Sequence, residues 1–256
     1  MSRSVGVVVP AFRPDVEGLI AYVDQLSAAL DDPTIRIELD DPDEGVRERL
    51  DAADAEVATV SERRGKGAAI TAGFEALDTD VLAFVDADGA TPARSVAAVI
   101  DPVRSDSADL SVGSRRHPES DVGSHQTVGR RLLGDGFAWL ARRFLAADLY
   151  DFQCGAKALS AAVWETVRGH LYEAGFAWDV ELIAVAAAFD YRIEEVPITW
   201  QDQPGSTVDP LDAVLEMGRT LLTARHRARQ IQDSRLHRAI ADRRDDGEAL
   251  IRRGHS

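Results

Sequence analysis

The sequence holds a single cysteine, Cys154. An internal disulfide is therefore excluded, and a cysteine-based zinc site has too few ligands. Lysine is nearly absent: Lys66 and Lys157 are the only two, and the basic residues are almost all arginine. No apolar run approaches the roughly 18 to 20 residues that cross a bilayer. The opening "MSRSVGVVVPAF" runs straight into a strand-like stretch, without the apolar core and small-residue cleavage site of a signal peptide. These absences make cytoplasmic the expected location. Net positive charge is missing too. The formal balance is -15, an acidic surface repels nucleic acid, and no nucleic-acid partner is expected.

What is present suits a globular α/β protein. Hydrophobic residues make up 45% of 256 positions, enough to bury a core. Apolar runs alternate with helical patterns. Strands are predicted at Val5–Pro10, Thr34–Leu39, Ala55–Val60, Val81–Asp86 and Ala108–Ser114. Helical patterns follow the first, third and fourth, at Asp15–Leu30, at Gly65–Leu77 and after Thr91, a predicted N-cap with Pro92 in the first turn. That order implies a Rossmann-like, mostly parallel sheet with helices on both faces. The second half reads less regularly. It offers an amphipathic helix over Arg130–Asp151, a short strand in Phe152–Ser160, a buried helix over Asp179–Phe189 and a strand over Tyr191–Trp200. From about Pro210 the chain is helical in pattern and rich in arginine. The expected division is a catalytic domain over 1–208 and a helical, amphipathic C-terminal extension over 209–256.

In a parallel sheet, ligands sit beyond the carboxyl ends of the strands. There the sequence places its most charged turns. "FVDADGATP" sets Asp86 and Asp88 one residue apart at a strand end. In an extended segment, residues i and i+2 point the same way, so both carboxylates can reach one Mg²⁺ or Mn²⁺, hard cations that prefer oxygen. Such metals bring substrate phosphates with them. The plain alternative is a polar turn. Gly65-Lys66-Gly67 opens a helix, and a helix N-terminus attracts anions; the alternative is a glycine-rich start with a solvated lysine. Asp40 and Asp41 follow the second strand, either to read a base or ribose or simply to form a turn.

Read together, "VVVPAF", the double aspartate, "RGKGAAITAGF", "FVDADGATP", "GSRR", "YDFQCGAKALS" and "WDVELIAVAAAFDYRIEEVPITW" resemble an inverting family-two glycosyltransferase with the GT-A fold. The likeness runs over about residues 4 to 208 and is strongest to the polyprenyl-phosphate sugar transferases. It implies that Pro10, Ala11 and Phe12 contact a nucleotide, with Asp40 or Asp41 on the base and Lys66 and Gly67 nearby. Asp86, Ala87 and Asp88 match the Asp-x-Asp metal motif. Arg115 matches an arginine after the fifth strand, and Arg130 or Arg131 one assigned to phosphate. Asp151 and Gln153 belong to a segment that borders sugar and acceptor. Asp179 and Glu181 match an acidic pair facing the donor sugar or acceptor. The implied cofactor is Mg²⁺ or Mn²⁺. The implied partners are a nucleotide diphosphate sugar, a polyprenyl phosphate and an anionic membrane face, with an oligomer or membrane-protein partner left open. Asp151, Asp179, Arg130 and Arg131 are the candidate catalytic residues.

The sequence departs from that pattern in three places. Phe12-Arg13-Pro14 stands where the family has Tyr-Asn-Glu, Thr207 where a lysine is usual, and no C-terminal spanning segment is present. Three other readings stay open. The acceptor could be a soluble sugar or small molecule, the Asp-x-Asp could serve a phosphatase, or the chain could be a catalytically silent binding subunit. Membrane contact is expected through the aromatics and arginines of Arg130–Leu145 and through the tail, lying in the headgroup region without spanning it.

Overall fold

The computed structural model describes residues 3–123, 141–143, 145, 147–201, 222–231 and 249–253. A seven-stranded sheet runs through them in the order β3-β2-β1-β4-β7-β5-β8. Its strands are β1 (Val5–Phe12), β2 (Thr34–Asp40), β3 (Glu56–Val60), β4 (Val81–Val85), β5 (Leu110–Ser114), β7 (Ala156–Ser160) and β8 (Ile193–Pro197). β6 (Asp121–Val122) and β9 (Thr199–Trp200) pair separately. The helices are α1 (Val16–Ala29), α2 (Val46–Leu50), α3 (Lys66–Ala76), α4 (Ala93–Arg104), α5 (Ala161–Val167) and α6 (Trp178–Ala188), with further helical turns at 222–231 and Leu250–Arg253.

The parallel half follows from the sequence. β1, β2 and β4 are largely buried runs, β3 is a half-exposed edge strand, and the four, joined by helices, all pair in parallel. Alternate residues feed the two faces. Val5, Val7 and Val9 of β1 and Val81, Ala83 and Val85 of β4 meet α1 and α4. Val8, Leu82 and Phe84 face α3, α5 and α6 instead. Phe84 lies edge-on to Trp178 at 5.5 Å, and Phe74 edge-on to Trp164 at 5.1 Å.

Several expectations change. β7 is inserted antiparallel between β4 and β5; its apolar run says buried strand, but direction is not written in composition. α5 carries no strong pattern and starts from Ser160, whose hydroxyl accepts the Val163 N–H at 3.3 Å. α4 is capped by Pro92 rather than Thr91. Proline's own φ of -58° suits an N-terminus, and the Thr91 carbonyl accepts a hydrogen bond from the Tyr22 hydroxyl. The predicted strand over 191–200 breaks at Ile198, whose N–H turns to the Ser114 carbonyl. The predicted helix over 130–151 has ended by Ala147, and residues 147–149 are irregular. Leu145, expected on a membrane face, is buried in the core instead; in the tail Leu222 is exposed, while Ala224 and Ala228 are buried. Most of the remaining tail, with Arg130, Arg131 and the aromatics of 130–140, lies outside the described residues.

Candidate active site

A cavity of about 540 Å³ opens at the carboxyl ends of β1, β2 and β4, within the usual range for a small-ligand site. β1 contributes Pro10, Ala11 and Phe12, and β2 contributes Asp40. The turn into α3 supplies Arg63, Arg64, Gly65 and Lys66; the turn after β4 supplies Asp86, Ala87 and Asp88. Gly175 and Phe176, from the segment before α6, close the far wall.

One floor of the site is a chain of alternating charges. Lys157, fully buried, donates to Asp179 at 2.8 Å. Asp179 also accepts from Lys66 at 3.1 Å, and Lys66 reaches Asp86 at 2.8 Å. Burial pushes the Asp179 carboxyl up, but Lys157 and Lys66 outweigh it and hold it below the usual carboxylate range. Burial alone would lower Lys66; Asp179 and Asp86 instead raise it above an ordinary lysine. Phe84 sits beneath both ammonium groups, 5.2 Å from Lys66 and 5.5 Å from Lys157. Asp88 is different. Burial pushes its carboxyl above the usual range, with Asp86 adding to the rise, although the Ala90 N–H donates to it.

The donor set fits a hard divalent cation. Asp86 and Asp88 offer carboxylate oxygens on one wall, with the Asp88 charge disfavoured as it stands. No group of three or more His, Cys, Asp or Glu ligands gathers among the described residues. A metal such as Mg²⁺ held by two carboxylates would therefore take its other ligands from phosphate and water.

The other candidate residues separate clearly. Asp40 is in the wall, yet both its oxygens are already engaged: Arg64 N–H and Nε each at 2.8 Å and Gly65 N–H at 3.0 Å. It anchors the turn into α3. Asp41 does not line the cavity; its N–H donates to the Val60 carbonyl. Gly67 is buried behind the wall, where a Cβ would stand 2.5 Å from the Glu173 carbonyl oxygen. Asp151 is gripped by Arg115, through Nε at 2.7 Å and a terminal nitrogen at 3.0 Å. Burial raises its carboxyl, but Arg115 dominates and holds it at about 2. The Gln153 N–H donates to the same carboxylate at 3.1 Å. Glu181 does not join Asp179 at the site. Residues two apart on a helix lie roughly 200° apart around the axis, so Glu181 turns into the protein. There it accepts from the N–H groups of Tyr172 and Glu173 and pairs with Arg227.

Five wall residues, Arg63, Arg64, Ala69, Gly175 and Phe176, were given no role in the sequence reading. Arg63 stacks 4.2 Å over the Phe12 ring and Arg64 holds Asp40. Their position just after β3 was the available signal. Gly175 and Phe176 had none, because only the fold brings their segment to the pocket.

Known proteins share this fold. The sheet and helices superpose on glucosyl-3-phosphoglycerate synthase from Mycobacterium tuberculosis, solved with Mn²⁺, UDP-glucose and glycerol 3-phosphate. The TM-score is 0.66 at 18% identity, over 87% of this chain and 80% of that one. This likeness bears out the GT-A fold. In sequence, the chain is 32% identical over 185 residues to glycosyltransferase AglD of Haloferax volcanii, covering 72% of this chain and 29% of that longer protein. It is 28% identical over 245 residues to dolichyl-phosphate beta-glucosyltransferase of Drosophila melanogaster, covering 86% and 74%. The profile of glycosyl transferase family 2 matches residues 7–159, the span that carries β1 to β7 and every strand-end turn of the pocket. The chain belongs to glycosyl transferase family 2.

Proposed function

We propose that this protein transfers a hexose from a nucleotide diphosphate sugar to a polyprenyl phosphate, with inversion at the anomeric carbon. The observation that carries this reading is the state of the two candidate bases. Asp151 is locked to Arg115, and Asp179 to Lys157 and Lys66. Neither carboxylate is free to take a proton from an alcohol. A phosphate oxygen needs no such base, because it is already anionic near neutral pH. In the proposed step that oxygen attacks the anomeric carbon. The bond from that carbon to the nucleotide diphosphate breaks, and its electron pair leaves with the diphosphate. An α-linked donor gives a β-linked product.

The family relatives support the acceptor. The Drosophila melanogaster protein and its human counterpart, 27% identical over 248 residues, are both named dolichyl-phosphate beta-glucosyltransferases. The fold neighbour was solved with UDP-glucose, which makes glucose the first sugar to try. Phe12 and Arg63 offer a flat surface for a nucleobase. Lys66 brings fixed positive charge to the diphosphate, and the aligned site lowers the barrier by position and electrostatics. Asp86 and Asp88 would hold Mg²⁺ or Mn²⁺, which when bound offsets the charge gathering on the leaving diphosphate. Arg130 and Arg131 remain proposed contacts of the acceptor phosphate at a cytoplasmic membrane face.

The test is a donor and acceptor screen. Purified protein is incubated with several nucleotide sugars, Mn²⁺ or Mg²⁺, and either a polyprenyl phosphate or soluble acceptors. Lipid-linked hexose should form, and excess chelator should abolish it. Turnover only with a soluble acceptor overturns the lipid reading; full turnover in chelator overturns the metal. Absence of any transfer would favour the silent binding subunit.

A further inference from the structure

The pocket wall that carries Gly175 and Phe176 belongs to residues 171–177, a segment without regular secondary structure. Its backbone is nevertheless held on two sides. Towards α3, the Ala174 carbonyl accepts the Ala68 N–H at 3.1 Å. Gly65 and Gly67 pack so closely there that a Cβ would stand 2.6 Å and 2.5 Å from the Ala174 and Glu173 carbonyl oxygens. Towards the interior, the Tyr172 and Glu173 N–H groups donate to one oxygen of Glu181 at 2.8 and 2.9 Å. Glu181 is fully buried, and a buried carboxylate needs an opposite charge. Arg227, from the helical stretch 222–231, supplies it. It pairs with Glu181, reaches Glu173 at 3.2 Å, and lies 4.5 Å over the Tyr172 ring. Ala224 and Ala228 fix the same stretch in the core.

Among the described residues, the three that the Arg227 guanidinium meets all belong to this wall segment or brace it. We propose that Arg227 is a positioning residue. Through Glu181, Glu173 and Tyr172, the C-terminal stretch clasps the 172–176 segment and so sets Phe176 and the Gly65–Gly67 turn at the pocket. A segment with no ladder of its own opens locally at low cost unless it is tied down, and this tie comes from the far end of the chain. The inference rests on reading the pocket as the nucleotide-sugar site.

The test uses the full chain, with Arg227→Met, Arg227→Lys and the milder Glu173→Gln. Arg192→Met is the control, because it breaks an exposed pair with Asp109 elsewhere in the fold. Two quantities are read: backbone amide exchange by mass spectrometry, and the affinity for UDP or GDP with Mn²⁺ by calorimetry. Arg227→Met should speed exchange in 171–177 by about tenfold, leave β1 and β4 unchanged, and weaken nucleotide binding by about tenfold. Arg227→Lys should restore part of both, and Arg192→Met should change neither. Unchanged exchange in 171–177 overturns the clasp. Faster exchange with unaltered nucleotide affinity reduces the contact to a structural one and overturns the positioning role. If Arg227→Met does not fold, Glu173→Gln decides by the same two readings at smaller amplitude. If the wild type binds neither nucleotide, the pocket reading fails, and the exchange arm still decides whether the clasp exists.

Discussion

Asp86 is constrained from three directions. Its N–H donates to the Gly155 carbonyl at 2.9 Å, and its carboxylate meets Lys66. Its Oδ2 lies only 1.8 Å from where a Cβ on residue 155 would be. Glycine at 155 therefore leaves room for the carboxylate. Gly155→Ala should turn Asp86 aside and weaken Mn²⁺-dependent nucleotide binding by at least about tenfold, an effect of the size seen when a ligand's support is removed. Calorimetry with Mn²⁺ and UDP checks this, and unchanged affinity would count against Asp86 as a ligand. Asp151 makes a prediction in pH. Its carboxyl is held at about 2 in the folded protein, against about 3.9 when unfolded. The depressed value means stability that is present above about pH 4 and lost as pH falls through about 2, worth on the order of 2 kcal/mol. Asp151→Asn should flatten denaturant-measured stability across that window. It should also cost about 3 kcal/mol at neutral pH, because Arg115 is left without its partner.

At the scale of elements, β4 links the core to the chemistry. Its buried run ends one residue before Asp86, and Phe84 is packed by Trp178 and Phe74 under the two lysines. Phe84→Ala should cost about 4 kcal/mol, the usual range for a deleted core phenylalanine. The expected signature is a lower urea midpoint with an unchanged slope. A loss below about 1 kcal/mol would mean that the site relaxes and that the aromatic cluster is not its support. α6 shows what a helix does to a sequence motif. Asp179 and Glu181 look like a pair on paper. The 3.6-residue turn sends one to Lys66 beside the pocket and the other to Arg227 in the interior.

For the whole molecule, the balance of -15 sets a general repulsion from anionic surfaces. Any attachment to such a membrane must come from local apolar and arginine-rich segments. Leu145 is committed to the core, which leaves the aromatics of 130–144 and, in the tail, the exposed Leu222 as candidates. Phe137 and Phe144 are the residues to change. Wild type should co-sediment with anionic liposomes carrying polyprenyl phosphate at low salt, and less so as salt screens the arginines. A Phe137→Ser, Phe144→Ser double variant should stay in the supernatant. Wild type remaining in the supernatant would favour a soluble acceptor.

The sequence by itself determined the α/β class, the four parallel strands β1 to β4, and the turns in which Phe12, Asp40, Lys66, Asp86 and Asp88 lie. All of these depend on local pattern: apolar runs, helical periodicity, and charge placed directly after a strand. Tertiary structure alone decided the direction of β7, the arrival of Phe176 at the pocket, the pairing of Asp151 with Arg115, and the burial of Glu181 against Arg227. Each of these joins residues far apart in the chain. Glu181 and Arg227 are separated by 46 positions and Arg115 and Asp151 by 36, and no local preference records which distant charge a buried carboxylate will meet. The cost of leaving such a charge unpaired in the interior makes the choice, and that cost exists only once the chain has closed around it.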